Sequence, residues 1–252
     1  MKIKFSYLFL LVVGVFIGFA IHGQSIYLPD SVLPTTHKGY LIHHQYYTLS
    51  YSNKDRQAEW VEYALTPEMI NGFVTRKNNF KPDPLVKNNP VHTNEYTKCG
   101  YDRGHLCPAA DMKLNETAMN ECFYLSNISP QQKSFNRGIW QQLENKVREW
   151  AIEKNGVYVI TGPVLQQWCG SISNSSIGVP CLFYKIIFKE TNNNKNVIAF
   201  LLPNESGKAP LHNYLTTVNY LENITGINFF SYLPNEVEEK LESTIDADYW
   251  NF

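Results

Sequence analysis

The sequence predicts a single α+β domain with a central antiparallel sheet. The chain has 252 residues, of which 44% are hydrophobic and 18% are charged, a composition typical of one large globular domain. Segments whose pattern suits strands outnumber segments with helical periodicity, and the two kinds do not alternate regularly along the chain. A doubly wound parallel sheet is therefore not favoured, because that fold requires strands and helices in turn.

The first 23 residues are predicted to be a signal peptide or an N-terminal anchor. Lys2 and Lys4 precede an apolar run from Phe5 to Ile21, which is the order of charge and hydrophobicity found in secretion signals. The run has 17 residues, at the lower limit for crossing a bilayer, so cleavage is favoured over retention. The protein is therefore expected to be secreted or periplasmic, and membrane-anchored if the segment is retained.

An irregular lead-in is predicted for residues 24–40, followed by the domain over residues 41–252. Alternating side chains predict one strand from Tyr46 to Tyr51 and another from Glu59 to Leu65. The polar residues 53–55 lie between these two strands and suit a turn, so the pattern indicates a β-hairpin.

A strong amphipathic helix is predicted from about Phe135 to Lys154, after an irregular stretch over residues 66–100. Gly156 follows this helix as a stop signal. Its apolar side chains recur at helical spacing, and they are Trp140, Leu143, Val147, Trp150 and Ala151.

Short apolar runs in the second half of the chain predict three buried strands. They are Val157–Ile160, Phe183–Phe188 and Val197–Leu202. Two further helices are predicted, from Leu211 to Glu222 and from Pro234 to Ser243.

The chain has five cysteines, so at least one is unpaired within the chain. They are Cys99, Cys107, Cys122, Cys169 and Cys181. Cys169 and Cys181 flank a segment rich in Gly, Ser and Asn, and we expect a disulfide to close this loop after export. Zinc binding is not favoured, because no two cysteines stand in a Cys-x₂-Cys pair.

The overall charge gives no support to nucleic-acid binding. The formal net charge is −1, and removal of the first 23 residues, which carry two lysines and no acid, makes it −3. Attraction to a polyanion would have to come from a local cluster of cations or from a metal ion.

The first cluster of candidate catalytic residues contains Asp102, Arg103, Gly104 and His105. Hydrolysis of a phosphodiester needs a base that activates water and a cation that neutralises the phosphate, and His and Arg supply these. Gly104 would let the backbone approach a ligand closely. Taken alone the cluster is weak evidence, because a single His is more often structural than catalytic.

A second cluster contains Asn136 and Glu144, eight residues apart on the predicted helix. The Asn carbonyl is a hard, neutral ligand that suits Mg²⁺, and Glu144 lies two turns further on, near the same side of the helix. The alternative is that Asn136 only caps the helix, since Asn is among the preferred N-cap residues. Residue type and spacing alone favour the cap.

Three ordered segments, Asp102–His105, Phe123–Gln131 and Asn136–Glu144, resemble the DNA/RNA non-specific endonuclease family of the ββα-metal superfamily. That family includes secreted sugar-non-specific nucleases and mitochondrial endonuclease G. The similarity runs from about Tyr46 to Ser243. It implies a ββα-metal unit in which His105 belongs to the strand–loop part and Asn136 to the helix.

The resemblance also implies roles for individual residues. His105 matches the general base, and Asn136 matches the single protein ligand of Mg²⁺, for which Mn²⁺ could substitute. Glu144 matches the acid that holds a metal-bound water. Arg103 matches an arginine beside the active site, and Asn127 matches another active-site amide.

Three more residues are assigned by position around these segments. The stretch that begins at Thr75 resembles a family segment whose arginine contacts phosphate, which implies that Arg76 is a phosphate contact. Arg137 occupies a variable position, from which an extra cation would aid phosphate binding. Asp102 is expected to orient the loop without taking part in catalysis.

The resemblance implies a metal-dependent endonuclease that cuts DNA and RNA with little sequence specificity and leaves 5′-phosphates. The expected partners are these substrates, with no stable protein partner and with a membrane only if the N-terminal segment is retained. Two alternatives are a hydrolase of another phosphodiester on the same scaffold and a catalytically silent module that binds nucleic acid or an inhibitor. The complete set of His105, Asn136 and Glu144 argues against the silent module.

Overall fold

A computed structural model of the protein describes residues 33–172, 175–191 and 194–252. The predicted signal segment and most of the predicted lead-in lie outside these residues. The described residues form eleven strands, which are β1 (Tyr40–His43), β2 (Thr48–Ser52), β3 (Gln57–Leu65), β4 (Asp102–His105), β5 (Ile128–Gln131), β6 (Val157–Pro163), β7 (Trp168–Ser171), β8 (Gly178–Pro180), β9 (Leu182–Glu190), β10 (Lys195–Pro203) and β11 (Leu215–Thr216).

The same residues form six α-helices, which are α1 (Pro67–Ile70), α2 (Glu116–Glu121), α3 (Lys133–Asn136), α4 (Ile139–Glu153), α5 (Val218–Thr225) and α6 (Asn235–Glu242). Short 3₁₀ helices cover Thr93–Tyr96, Ala109–Asp111, Leu125–Asn127 and Leu211–Tyr214. Within the described ranges, none of the helices has the length and apolar character needed to cross a membrane.

Seven strands form one antiparallel sheet in the order β1-β2-β3-β6-β9-β10-β11. The predicted hairpin is β2–β3, and the three predicted apolar strands are β6, β9 and β10. Two smaller hairpins, β4–β5 and β7–β8, lie outside this sheet. The predicted single α+β domain with a central antiparallel sheet is therefore confirmed.

The sheet is covered on both faces, which explains why its middle strands are almost continuously apolar. Along β9, Phe183 and Ile187 pack on the side of α4, while Tyr184, Ile186 and Phe188 pack on the side of α5 and α6. Successive side chains in a strand point to opposite faces, so both sets are buried against helices. The position between Phe183 and Ile187 on the α4 side is occupied by a lysine.

The pattern predicted that the strong helix begins at about Phe135. In the structure it begins at Ile139. Its N-cap is Gly138, and α3 forms a separate helical turn that ends at Asn136. The apolar stripe is as predicted, and Leu143 and Trp150 are fully buried. Because the helical conformation is interrupted between α3 and α4, Asn136 does not belong to the apolar face of α4.

The helix predicted from Leu211 to Glu222 is wrong over its first half. There the chain forms a 3₁₀ turn and then β11, which pairs with β10. The hydroxyl of Thr217 accepts a hydrogen bond from the backbone N–H of Tyr220 at 3.2 Å and thereby starts α5 at Val218. The predicted C-terminal helix is confirmed as α6.

Contacts with the sheet begin before residue 41. The carboxylate of Glu59 accepts hydrogen bonds from the backbone N–H groups of His37, Lys38 and Gly39, at 3.1, 2.6 and 3.0 Å. Leu33 is buried in the core on the α5 side of the sheet. The end of the predicted lead-in, residues 33–39, has no helix or strand, and its backbone is attached to β3 through Glu59.

The predicted disulfide between Cys169 and Cys181 is present, and it closes the β7–β8 hairpin. Cys99, Cys107 and Cys122 are buried free thiols.

Candidate active site

The β4–β5 hairpin and α4 form the expected ββα unit. Asp102 stands opposite Gln131 and His105 stands opposite Ile128 in the hairpin. His105 is the last residue of β4, and Asn136 ends α3, just before α4. The hairpin and the helical turn therefore bring these two predicted site residues to one region.

Gly104 makes room for a side chain of its own protein rather than for a ligand. A Cβ atom at this position would come within 2.2 Å of the Gln131 side chain, whose amide is fully buried. Any larger residue would displace the Gln131 side chain. The space beside Gly104 is therefore filled by Gln131 on the side where a Cβ atom would stand.

The imidazole of His105 is buried between two aromatic rings. The Phe80 ring lies 5.4 Å away, centre to centre, and the Phe123 ring stands edge-on at 5.0 Å. Among the described residues, Nε2 of His105 is buried and has no hydrogen-bond partner. A buried polar atom without a partner is uncommon in a native protein, and water or a ligand is the usual explanation.

Burial, and to a lesser degree the cation of Arg76, lowers the pKa of His105 from 6.5 to about 3. The imidazole is therefore neutral at pH 7, which is the form that accepts a proton. An anionic phosphate beside Arg76 would offset the effect of that cation and raise the basicity of His105.

The amide of Asn136 is oriented by Asp102. Its Nδ2 donates to Oδ2 of Asp102 at 2.9 Å. An ionised carboxylate only accepts hydrogen bonds, so the NH₂ group must face Asp102 and the carbonyl oxygen must face away. Within the described residues, no donor is recorded for this oxygen, so it is available to a cation. The alternative that Asn136 caps the helix is wrong, because the N-cap is Gly138.

Arg137 forms a two-pronged ion pair with Asp102. Its Nε and one terminal nitrogen donate to the two carboxylate oxygens, each at 2.8 Å. Partial burial works against ionisation of Asp102, but the hydrogen bonds from Arg137 and Asn136 hold its pKa below the usual value. The sequence did not predict this pairing. Among the described residues, the remaining donors of Arg137 have no partner.

Two other cations lie on the rings that enclose His105. The guanidinium of Arg103 is 5.2 Å from the centre of the Phe80 ring, and that of Arg76 is 5.3 Å from the centre of the Phe123 ring. Arg103 also donates to the carbonyl of Thr93 at 3.0 Å, while its buried Nε has no partner among the described residues. Two of the predicted phosphate-binding arginines thus contact the rings that enclose the imidazole.

Asn127 holds the loop that follows His105. Its side chain accepts from the backbone N–H of Cys107 at 2.9 Å and donates to the carbonyls of Cys107 and Cys122, at 2.9 and 2.8 Å. The residue is completely buried. These contacts use its amide inside the protein, so the geometry assigns it to positioning rather than to substrate contact.

Sequence reasoning missed the charged side chains that surround Glu144, two of which are buried. Lys185 is 1% exposed, and its ammonium has no hydrogen-bond partner among the described residues. It lies 4.6 Å from the centre of the Trp140 ring. Burial raises the pKa of Glu144 to about 7, and the positive charge of Lys185 opposes this rise.

Asp111 and Arg148 complete this group. Arg148 donates to Oδ1 of Asp111 at 2.7 Å, and the hydroxyl of Tyr63 donates to Oδ2 at 2.8 Å. Two signals in the sequence could have revealed the group. A lysine interrupts the apolar run of β9, and Arg148 stands one helical turn after Glu144.

The donor set suits Mg²⁺ better than zinc. The described residues contain no group of three or more His, Cys, Asp or Glu side chains placed to hold a metal ion. Mg²⁺ prefers oxygen ligands and keeps several waters, so one free amide oxygen is a sufficient direct contribution from the protein. Asn136 would bind the ion directly, and Glu144 would hold one of its waters.

Of two clefts on the described part of the protein surface, one adjoins the candidate site and the other does not. A cleft of about 660 Å³ lies between the β9–β10 turn and α6, and none of the predicted site residues lines it. A second cleft, of about 420 Å³, is lined in part by Arg76 and so adjoins the site.

Comparisons with known proteins agree with the geometry. A sequence model of the family described as DNA/RNA non-specific endonuclease matches residues 27–236. Nuclease C1 of Cunninghamella echinulata var. echinulata is 35% identical over 204 residues, which are 74% of this chain and 81% of that protein. The mitochondrial nuclease EXOG of Danio rerio is 32% identical over 218 residues, which are 80% of this chain and 63% of that protein.

A solved structure shares the fold. A chain from the crystal structure of the EndoG/EndoGI complex, described as showing the mechanism of EndoG inhibition, superposes with a TM-score of 0.72. It is 27% identical in sequence, and the match covers 83% of this chain and 91% of the other.

Proposed function

The chain belongs to the DNA/RNA non-specific endonuclease family, and we propose that its phosphodiester hydrolysis depends on Mg²⁺ held by Asn136 and on His105 as general base. The observation that carries the proposal is the Asn136–Asp102 contact, because it fixes the amide with its oxygen free for a cation. When bound, the ion would stabilise negative charge on the phosphate and on the leaving oxygen.

His105 is suited to take the proton from the attacking water. Its imidazole is neutral at pH 7, and its buried Nε2 lacks an internal partner among the described residues. The rings of Phe80 and Phe123 fix its plane, so the atom that accepts the proton is held in place. Glu144 would orient a water next to the cation.

Arg76 and Arg103 would neutralise the non-bridging oxygens of the scissile phosphate. Both guanidinium groups lie on the rings that enclose His105, so a phosphate between them would meet the base and two positive charges. Arg137, fixed by Asp102, would add a weaker attraction at the edge. Contacts of this kind read the backbone and carry no sequence information, which suits a non-specific enzyme. We expect products with 5′-phosphates.

The test is a nicking and degradation assay of the purified chain on plasmid DNA and on RNA. We expect EDTA to abolish both activities and added Mg²⁺ or Mn²⁺ to restore them, with His105→Ala inactive throughout as the control. Cleavage that persists in excess chelator would contradict the metal requirement. Cleavage of DNA alone or of RNA alone would contradict the proposed substrate range. If neither is cleaved, the remaining hypotheses are a binding module and a hydrolase of another phosphodiester.

We also propose that the protein is exported. The basic and apolar N-terminal segment and the Cys169–Cys181 disulfide support this, since disulfides persist in oxidising compartments. The test is fractionation of cells that express the full chain or a chain without residues 1–23. Recovery of the full chain in the cytoplasm with Cys169 reduced would contradict it.

A further inference from the structure

We propose that Phe73 and the cleft beside it form a subsite for single-stranded substrate, in which a nucleobase next to the scissile phosphate stacks on the Phe73 ring. The inference rests on the proposed nuclease function and names a residue that contacts its substrate. The cleft, called the Phe73 cleft below, is lined by Gly72, Phe73, Val74, Thr75, Arg76, Ala109, Ala110, Lys113 and Met119.

The exposure of Phe73 is the first observation. Its side chain is 97% exposed, whereas the next most exposed large apolar residue among those described, Ile152, is 52% exposed. A phenyl ring left in water gains none of the stabilisation that burial gives to most aromatic residues. An apolar surface of this kind beside a cleft indicates a binding site.

The backbone that carries Phe73 is held on both sides. The N–H of Val74 donates to the carbonyl of Lys113 at 3.2 Å. Gly72 packs so closely that an added Cβ would lie 2.0 Å from the same carbonyl oxygen. The backbone that carries the ring is therefore held in place, so this segment would not have to become ordered when a ligand stacks on the ring.

The composition of the Phe73 cleft matches a nucleotide. Val74 and Ala110 offer apolar surface, while Arg76 and Lys113 add two positive charges and no acid lines the described cleft. A nucleotide combines a flat base with an anionic backbone. Proteins that bind single strands use this combination of an aromatic platform and a cationic groove.

The cleft is continuous with the proposed active site through Arg76. The guanidinium of Arg76 lies over the Phe123 ring and its charge influences His105. Phe73 is three residues away, a distance of at most about 11 Å along an extended chain. A strand whose phosphate is bound at Arg76 would thus bring a neighbouring base to Phe73. Bases inside a duplex are already stacked on each other, so the contact favours single strands.

The test measures the binding of a short fluorescein-labelled DNA single strand by anisotropy in EDTA, where no cleavage occurs. Base–aromatic stacking contributes about 1–3 kcal/mol per base, so Phe73→Ala should raise the Kd about 5- to 150-fold. Phe73→Trp should restore binding. The matched control is Tyr220→Ala, which removes a half-exposed ring from α5 and should leave the Kd unchanged.

An abasic strand of the same length separates stacking from charge. The wild type should bind it about as weakly as Phe73→Ala binds the normal strand, and Phe73→Ala should show little further loss. The inference is overturned if Phe73→Ala binds like Tyr220→Ala, or if it loses as much affinity for the abasic strand as for the normal one. A wild type that binds single strands but cleaves nothing with Mg²⁺ would contradict the proposed function alone.

Discussion

The side-chain amide of Asn136 is joined to the carboxylate of Asp102 by a 2.9 Å hydrogen bond, which links the helical side of the site to the strand that carries His105. Because the carboxylate accepts only, the contact decides which end of the amide is left for a metal ion. Arg137 fixes the same carboxylate from outside. The orientation of the proposed ligand thus depends on a residue that need not touch the substrate.

Asn136→Ala and His105→Ala should both lose most activity, for different reasons. Loss of a general base typically costs about 10²- to 10⁴-fold in rate, and His105→Ala should not recover at high Mg²⁺. Asn136→Ala removes the proposed ligand, so raised Mg²⁺ should restore part of its activity. Nicking rates over a Mg²⁺ titration distinguish the two. An Asn136→Ala variant that is destabilised yet fully active would exclude the ligand assignment.

Asp102→Ala should impair catalysis more than Arg137→Ala. The first change frees the Asn136 amide to rotate, whereas the second keeps the Asn136–Asp102 bond and removes only an exposed cation. We expect Asp102→Ala to lower kcat and to need more Mg²⁺, and Arg137→Ala mainly to raise KM at low salt. If both variants have the same Mg²⁺ requirement as the wild type, Asp102 does not orient the ligand.

Acid should weaken the fold through His105. Its pKa is about 3 in the folded protein and about 6.5 when unfolded, so the neutral ring contributes stability that is complete above pH 6.5. That contribution declines as the pH falls from 6.5 towards 3, because only the unfolded chain takes up the proton. Each unit of pKa difference corresponds to about 1.4 kcal/mol.

The measurement is urea unfolding of the wild type and of His105→Leu between pH 7.5 and about 4. The variant lacks the titrating ring and should lose less stability over this range than the wild type. Parallel losses for the two proteins would show that His105 is not held neutral by burial.

The sequence predicted those parts of the fold that follow from local pattern. The apolar stripe of α4 and the runs of β6, β9 and β10 mark their elements, because each is buried over its whole length on at least one side. The small hairpin β7–β8 and the short strands β1 and β11 were missed. They contain two to four residues each, too few for a period to show.

The site was predicted residue by residue only where an ordered motif could be matched. His105, Arg76 and Arg103 all contact the rings of Phe80 or Phe123, and Asn136 contacts Asp102 on the same strand as His105. Two features could not be predicted, because each depends on contacts between segments that are distant in the sequence. They are the ion pair of Arg137 with Asp102 and the hydrogen bonds by which Asn127 holds the loop after His105. Residue type alone does not show whether an amide faces the substrate or the backbone.

Loss of the Cys169–Cys181 disulfide should lower stability without lowering activity. Closure of a loop of this size contributes roughly 3 kcal/mol in the chain-entropy model, and neither cysteine lies among the proposed site residues. The double variant Cys169→Ser/Cys181→Ser should melt at a lower temperature and cut DNA at the wild-type rate below its Tm. Reductant should lower the Tm of the wild type to that of the variant. A Tm that does not respond to reductant in the wild type would mean that the bond is absent.

Lys185→Met should shift the acid limb of the activity profile to higher pH. Lys185 opposes the rise that burial causes in the pKa of Glu144, so its removal should raise that pKa further. If Glu144 holds a metal-bound water in its ionised form, kcat/KM will begin to fall at a higher pH in the variant. The folded state should not suffer, because a buried ammonium without a hydrogen-bond partner among the described residues is itself unfavourable.

Glu144→Gln provides the control for this prediction, because the amide does not titrate. In that background, Lys185→Met should leave the shape of the pH profile unchanged, although the rates will be low. A shift that persists in the double variant would mean that Lys185 acts on another group, and Asp111, which shares its surroundings, would be the first to examine. If Lys185→Met lowers the Tm but leaves the pH profile of activity unchanged, Lys185 only packs against the Trp140 ring.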